Sequence, residues 1–123
     1  MKRRVAITGL GVVSPLGIGL EAFWTNLMAG KSGISTITSF DITDFPVKIA
    51  GEVKNFDLSE FIEDKKSIRH MDRNSQFALA AAIMAAKDAG FDISKEEAGR
   101  VGTFIGTGIG GISTTEATIT RVE

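Results

Sequence analysis

Three stretches carry residue types and spacings that bear on chemistry. The first is "RRVAITGLGVVSPLG", Arg3 to Gly17, where β-formers run straight into Gly9-Leu10-Gly11. A dinucleotide loop needs G-x-G-x-x-G or A between a strand and the helix it opens, so that the helix N-terminus meets the pyrophosphate. Here Ser14 stands at the third position and Pro15 follows. The next helical pattern starts only after Gly19, and no acidic residue ends a following strand at the required distance. The second stretch is "GTGIGG", Gly106 to Gly111, which lacks the Gly-Lys-Ser/Thr of a phosphate-binding loop. Both glycine clusters therefore read as turns where backbone approaches backbone.

The third stretch is "DKKSIRHMDR", Asp64 to Arg73. Lys65, Lys66, Arg69, His70 and Arg73 put five basic or titratable nitrogen groups within nine residues. If the run is helical, Lys65, Arg69 and Arg73 share one face at i, i+4 and i+8. On residue types alone it reads as a solvated charged turn before a helix, with Asp72 as N-cap and Glu63 and Asp64 diluting the charge. His70 is the one histidine and there is no cysteine. That excludes a disulfide framework, a thiolate metal site and a thiol nucleophile within the chain, and no metal site is expected.

The elements that position these stretches follow from periodicity. Val5 to Val13 reads as a strand that is apolar on both faces, as under helices on both sides. Pro15, Gly17 and Gly19 make a loop. Leu20 to Ala29 reads as a helix with Phe23, Trp24, Leu27 and Met28 on one side, stopped by Gly30. Ile34 to Phe40 is irregular or extended, and Val47 to Val53 is a short strand around Gly51. Asp57 starts a helical turn over Leu58 to Ile62. A long helix runs from about Asp72 to Ala89 and stops at Gly90. Its centre, "FALAAAIMAA", is apolar on every side, which calls for cover all round. Val101 to Gly106 is a second strand of the two-face-buried kind, and a helix opens at Ile112.

The 123 residues suit one domain, with 43% hydrophobic and 24% charged residues. A net charge of −1 does not steer the chain to nucleic acid or an anionic membrane. The basic start, Met1 to Arg4, imitates a signal peptide, but Thr8, Gly9 and Gly11 break the apolar run and no small-x-small cleavage site follows. The apolar run Phe77 to Ala86 is far short of the roughly 20 residues that span a bilayer, so a cytoplasmic protein is expected. Two strands buried on both faces and one helix buried all round need several covering layers. Only Leu20 to Ala29 offers convincing amphipathic cover. The chain is thus expected to be part of a larger molecule or to pack on a partner, with an artificial boundary at Glu123.

Four motifs stand in order: "RRVAITGLGVVSPLG", the helix ending in "LMAGKSGI", "HMD" before an Ala-rich helix, and "GTGIGG" after a strand. Together they closely resemble the N-terminal part of the β-ketoacyl-acyl-carrier-protein synthases, type II. The resemblance covers the whole chain, so residues 1–123 are expected to be an incomplete synthase domain. It implies the thiolase-like layered α/β/α/β/α fold, an α/β architecture, a homodimer and no cofactor. It implies elongation of fatty acyl chains by decarboxylative Claisen condensation. In that chemistry a Cys at a helix N-terminus takes the acyl group, and two His residues promote loss of CO2 from malonyl carrier protein. Those catalytic residues come later in the family pattern than anything in this chain, which alone is expected to be inactive. The resemblance also implies that Ile109 lines the acyl pocket, whereas by residue type it is equally a plain core isoleucine. Relatives of type I tend to have Gly there. It further assigns Lys65, Lys66 and Arg69 to docking of the acidic acyl carrier protein, with His70 where relatives often carry Lys. The other reading kept open is a non-catalytic module that grips acyl carrier protein or pairs with a full synthase.

Overall fold

Residues 3–121 are described by a computed structural model; Met1 and Lys2 of the basic start, and the Glu123 boundary, lie outside them. The described residues form four α-helices, two two-stranded sheets and three short 3₁₀ turns.

The loop read at Pro15 to Gly19 is a tight hairpin. Strand β1 (Val13–Ser14) pairs antiparallel with β2 (Gly17–Ile18), Val13 opposite Ile18. Helix α1 (Leu20–Met28) follows directly. It ends as the sequence requires: Gly30 sits at φ 65°, and the Lys31 amide donates to the Asn26 carbonyl at 3.0 Å. The apolar face of α1 stays largely open, with Trp24 57% exposed and no residue of the helix buried.

Strand β3 (Ser35–Thr36) pairs antiparallel with β4 (Ile49–Ala50), inside the two stretches expected to be extended. The connection between them is tied by Glu52. Its carboxylate accepts from the Thr38 and Ser39 amides at 3.0–3.1 Å and from the Thr38 hydroxyl at 2.9 Å. The Ser39 and Thr38 side chains together hold the Glu52 pKa down to about 2, against an ordinary value of 4.5.

The 3₁₀ turn Leu58–Glu60 begins at Asp57, whose carboxylate accepts from the Ser59 amide at 2.8 Å. Leu58, 1% exposed, is the centre of a small core with Phe56 and Ala80. Helix α2 (Lys65–Ile68) is capped by Asp64, and α3 (Arg73–Asp88) carries Ala80 into that core. The α3 stop matches the sequence: Gly90 has φ 62°, and the Phe91 amide donates to the Ala86 carbonyl at 2.8 Å. Two further 3₁₀ turns, Ile93–Lys95 and Ala98–Arg100, lead into residues 101–111, and α4 (Ile112–Thr120) follows.

Two expectations need correction. Residues 5–12 and 101–106 belong to no ladder among the described residues. A strand is stable only when its backbone groups are paired, and neither stretch meets a partner here. Their side chains stand in the open: Val5 is 93% exposed and Phe104 97%. Helix α3 is also not covered on every side; apart from Ala80 its apolar residues are half-buried, and Ala82 is exposed.

The first glycine loop has a definite structural task. Gly9 and Gly11 lie on the backbone of α3, where added Cβ atoms would overlap the Ala85 and Ala81 carbonyl oxygens. The Leu10 amide between them donates to Asp88 Oδ2 at 2.9 Å. The glycines and the alanines of α3 are thus two halves of one close contact, and a nucleotide has no part in it.

Candidate functional site

Lys65, Lys66 and Arg69 are exposed on one short segment. That segment is helical because Asp64 caps it. Asp64 Oδ1 accepts from the Lys66 and Ser67 amides at 3.1 and 3.3 Å, and Oδ2 accepts from the Ser67 hydroxyl at 2.5 Å. The Ser67 side chain, then the amides, hold the Asp64 carboxyl below its ordinary range. Asp57 is held low as well, by the Ser59 amide and hydroxyl first and by the Lys65 charge last. The patch is therefore a cluster of cations beside two committed anions: the carboxylates shape the turn, and the ammonium and guanidinium groups face outward.

Arg73 does not join this face. Helix α2 ends at Ile68 and α3 begins at Arg73, so the i, i+4, i+8 register is broken. The Arg73 guanidinium lies 5.0 Å from the Phe56 ring centroid and 4.9 Å from that of Phe77. Its Nη2 donates to the Val53 carbonyl at 3.2 Å. The two rings meet edge to face at 5.0 Å, and Arg73 ties them to the 53–56 loop. It is a structural cation. His70 is exposed beside Arg69.

The glycine loop 106–111 descends onto the start of α3. Gly111 is left-handed, φ 77°, and a Cβ there would stand 2.9 Å from Asp72 Oδ2. A Cβ on Gly110 would stand 2.5 Å from Asn74 Nδ2. Just before these contacts, Ile109 is 78% exposed. It shares a cavity of about 210 Å³ with Asp72, Arg73, Asn74, Ile112 and Ser113. A second, more apolar cavity of about 520 Å³ lies between α3 and residues 103–107, lined by Met71, Leu79, Ala82 and Ile105 among others. Ile109 is thus not a packed core residue within this chain; it borders open space.

Sequence reasoning singles out the basic segment and Ile109 but misses what ties the Ile109 loop to the start of α3. Asp72 is the residue before α3, as expected, yet its carboxylate makes no capping bond to that helix. Oδ1 instead accepts from the Thr114 hydroxyl at 2.7 Å, across 42 positions of sequence. Asn74 and Gly110 form the neighbouring contact. The local signal, Asp ahead of a helix, points to capping; nothing in it points forward to Thr114.

Comparison with known proteins decides what this arrangement belongs to. A family model described as "Beta-ketoacyl synthase, N-terminal domain" matches residues 2–122. The chain belongs to the β-ketoacyl synthase family. It is 47% identical over 116 residues to a 3-oxoacyl-[acyl-carrier-protein] synthase 2 of Vibrio harveyi, covering 94% of this chain and 28% of that protein. It is 52% identical over 111 residues to the corresponding protein of Coxiella burnetii, covering 90% and 27%. Among solved structures it resembles the ishigamide ketosynthase/chain length factor, with TM-score 0.70 and 40% identity over 76% of this chain and 23% of that one. The β-ketoacyl synthase relationship places the chain in the thiolase-like α/β fold. The chain spans about 28% of the length of the curated relatives it matches. No helix among the described residues is long and apolar enough to cross a membrane.

Proposed function

We propose that these residues form the N-terminal part of a type II 3-oxoacyl-acyl-carrier-protein synthase. The complete protein would extend fatty acyl chains by decarboxylative condensation with malonyl carrier protein, as a cytoplasmic homodimer that needs no cofactor. The observation that carries this reading is the 52% identity to a 3-oxoacyl-acyl-carrier-protein synthase 2 over 90% of the chain, at only 27% of that protein's length. The open apolar segments 5–12 and 101–106 support it, because they are the parts of a layered sheet that further strands of the same protein would cover. With no Cys and a single exposed His, the 123 residues supply neither the nucleophile nor a His pair. Their contribution is to dock the carrier and to wall the acyl pocket.

In this reading the carrier docks at Lys65, Lys66 and Arg69. An acidic carrier surface is drawn to three outward cations on a capped turn, and such rim charges act mainly on encounter and salt dependence. Ile109 forms one wall of the acyl pocket, where a branched side chain between glycines meets an apolar tail. The likeness to a ketosynthase/chain length factor keeps a second reading in view, a non-catalytic subunit that pairs with a full synthase.

The test is an assay of the full-length protein with acyl and malonyl carrier protein. Condensation that is lost when its nucleophilic Cys is replaced, and an inactive 123-residue chain, are the expected results. A full-length protein with another residue at the nucleophile position and no turnover would establish the subunit reading instead. For docking, Lys66→Glu with Arg69→Glu should raise KM for carrier-borne substrates about tenfold or more and leave KM for small thioester analogues unchanged. An unaltered KM and salt dependence would remove the docking assignment.

A further inference from the structure

An aspartate in front of a helix ordinarily gives its carboxylate to the first free amides of that helix. Asp72 does not: α3 begins without a side-chain cap, and the carboxylate reaches the Thr114 hydroxyl in the first turn of α4. A local capping bond is forgone for one that joins two distant segments. Gly111 and Gly110 make this approach possible, since a Cβ at either would press on Asp72 Oδ2 or Asn74 Nδ2. Immediately before these contacts stands Ile109, which lines the same cavity as Asp72 and Asn74. Ile109 itself is 78% exposed, so its own packing does not hold it. Its place is set by the loop, and the loop's forward end is set by the bond to Asp72.

We propose that Asp72, acting through Thr114, is a positioning residue that holds the Ile109 loop and thereby sharpens acyl-chain-length discrimination. This rests on the reading of Ile109 as an acyl-pocket wall. An apolar pocket separates chains that differ by methylenes only modestly. It does so only where the wall is fixed, because a wall that yields accepts the longer chain. Releasing the loop lets Ile109 yield, and the preference between the best acyl length and the next flattens. The docking cations lie on α2 and at its C-cap Arg69, before Asp72, and do not depend on this bond.

The experiment uses the full-length synthase with Asp72→Ala, Thr114→Val, the pair of them, and Asp72→Asn. Thr114→Val is nearly isosteric and keeps a β-branched residue in α4, so it removes the hydroxyl and little else. The readout is the ratio of kcat/KM between the preferred acyl primer and primers longer or shorter by two carbons. Loss of one charge-assisted hydrogen bond sets the scale at about five- to tenfold. Asp72→Ala and Thr114→Val should each lower the ratio by about that much, and the pair by no more than either alone. Asp72→Asn, which keeps an acceptor oxygen, should retain most of the discrimination, and KM for malonyl carrier protein should not move in any variant. If Asp72→Ala fails to fold, Thr114→Val decides. Ile109→Ala is the control. If it alters the ratio while Asp72→Ala and Thr114→Val do not, the positioning role is wrong and the acyl-wall reading stands. If Ile109→Ala leaves the ratio unchanged, both fall. Additive losses in the double variant would show that the two residues act separately and would also overturn the proposal.

Discussion

Two parts of this molecule treat apolar side chains in opposite ways. Around Leu58 they are closed in: Leu58 is 1% exposed, Phe56 and Ala80 are buried with it, and Phe77 meets Phe56 edge to face with the Arg73 guanidinium over both rings. Along residues 5–12 and 101–106 they stand open, with Val5, Ile7, Phe104 and Ile105 all more than half exposed. Composition does not separate the two regions; topology does. The first core is built mainly from residues 53–84, which fold on one another, with Val13 and Ile18 of the hairpin packed against it. The second lies in no ladder among the described residues; in the proposed synthase its stretches would be strands whose partners come from elsewhere. A helix satisfies its own backbone, whereas a strand never does. On that reading the same chain is finished where its contacts are local and open where a sheet would form.

The comparison can be broken at several points in the full-length protein. Leu58→Ala should cost about 3 kcal/mol in denaturant unfolding. Phe104→Ala should cost about as much, because the account places Phe104 under further layers there. A Phe104→Ala effect within about 0.5 kcal/mol, the range of surface sites, would leave residues 101–106 exposed in the complete protein too. Gly11→Ala should cost about 2 kcal/mol from overlap with the Ala81 carbonyl. An unchanged midpoint would mean that the glycine–alanine contact yields without strain. Arg73→Leu should lose about 1 kcal/mol, removing the cation that lies over the Phe56 and Phe77 rings, and should leave KM for carrier-borne substrates alone. A raised KM would return Arg73 to the docking face.

The smallest effect concerns Glu52. Its pKa is held near 2 by Ser39 and Thr38, below its unfolded value, so the folded state favours the carboxylate. That stabilisation is fully present above about pH 4.5 and is lost as pH falls towards 2. Wild type should therefore lose stability over that interval more steeply than Glu52→Gln, measured by thermal unfolding at stepped pH. Parallel profiles would show that the 38–39 loop does not depend on the carboxylate.

Legibility in the sequence followed the same division. The ends of α1 and α3 were readable from Gly30 and Gly90, and the turn at Leu58 from Asp57, since each is a local rule about free amides or carbonyls. The hairpin at Val13–Ile18 was not, because its Pro-Leu turn lies among residues that read as a loop. Arg73 looks like a fifth basic group because sequence counts charges and does not see that two phenylalanines, 17 positions back and 4 ahead, lie under its guanidinium. The basic segment is legible as a charge run, but its docking role and that of Ile109 in the acyl pocket come only through the family resemblance. The bond that links Asp72 to Thr114 spans 42 residues, and no local pattern announces it.

Amide hydrogen exchange on the full-length protein tests the central claim most directly. If residues 5–12 and 101–106 are strands of a sheet completed by the rest of the synthase, their amides should exchange as slowly as those in the middle of α3. Fast exchange along both stretches, with α3 protected, would mean that they remain as open as they stand here, and the layered-sheet account of this chain would be wrong.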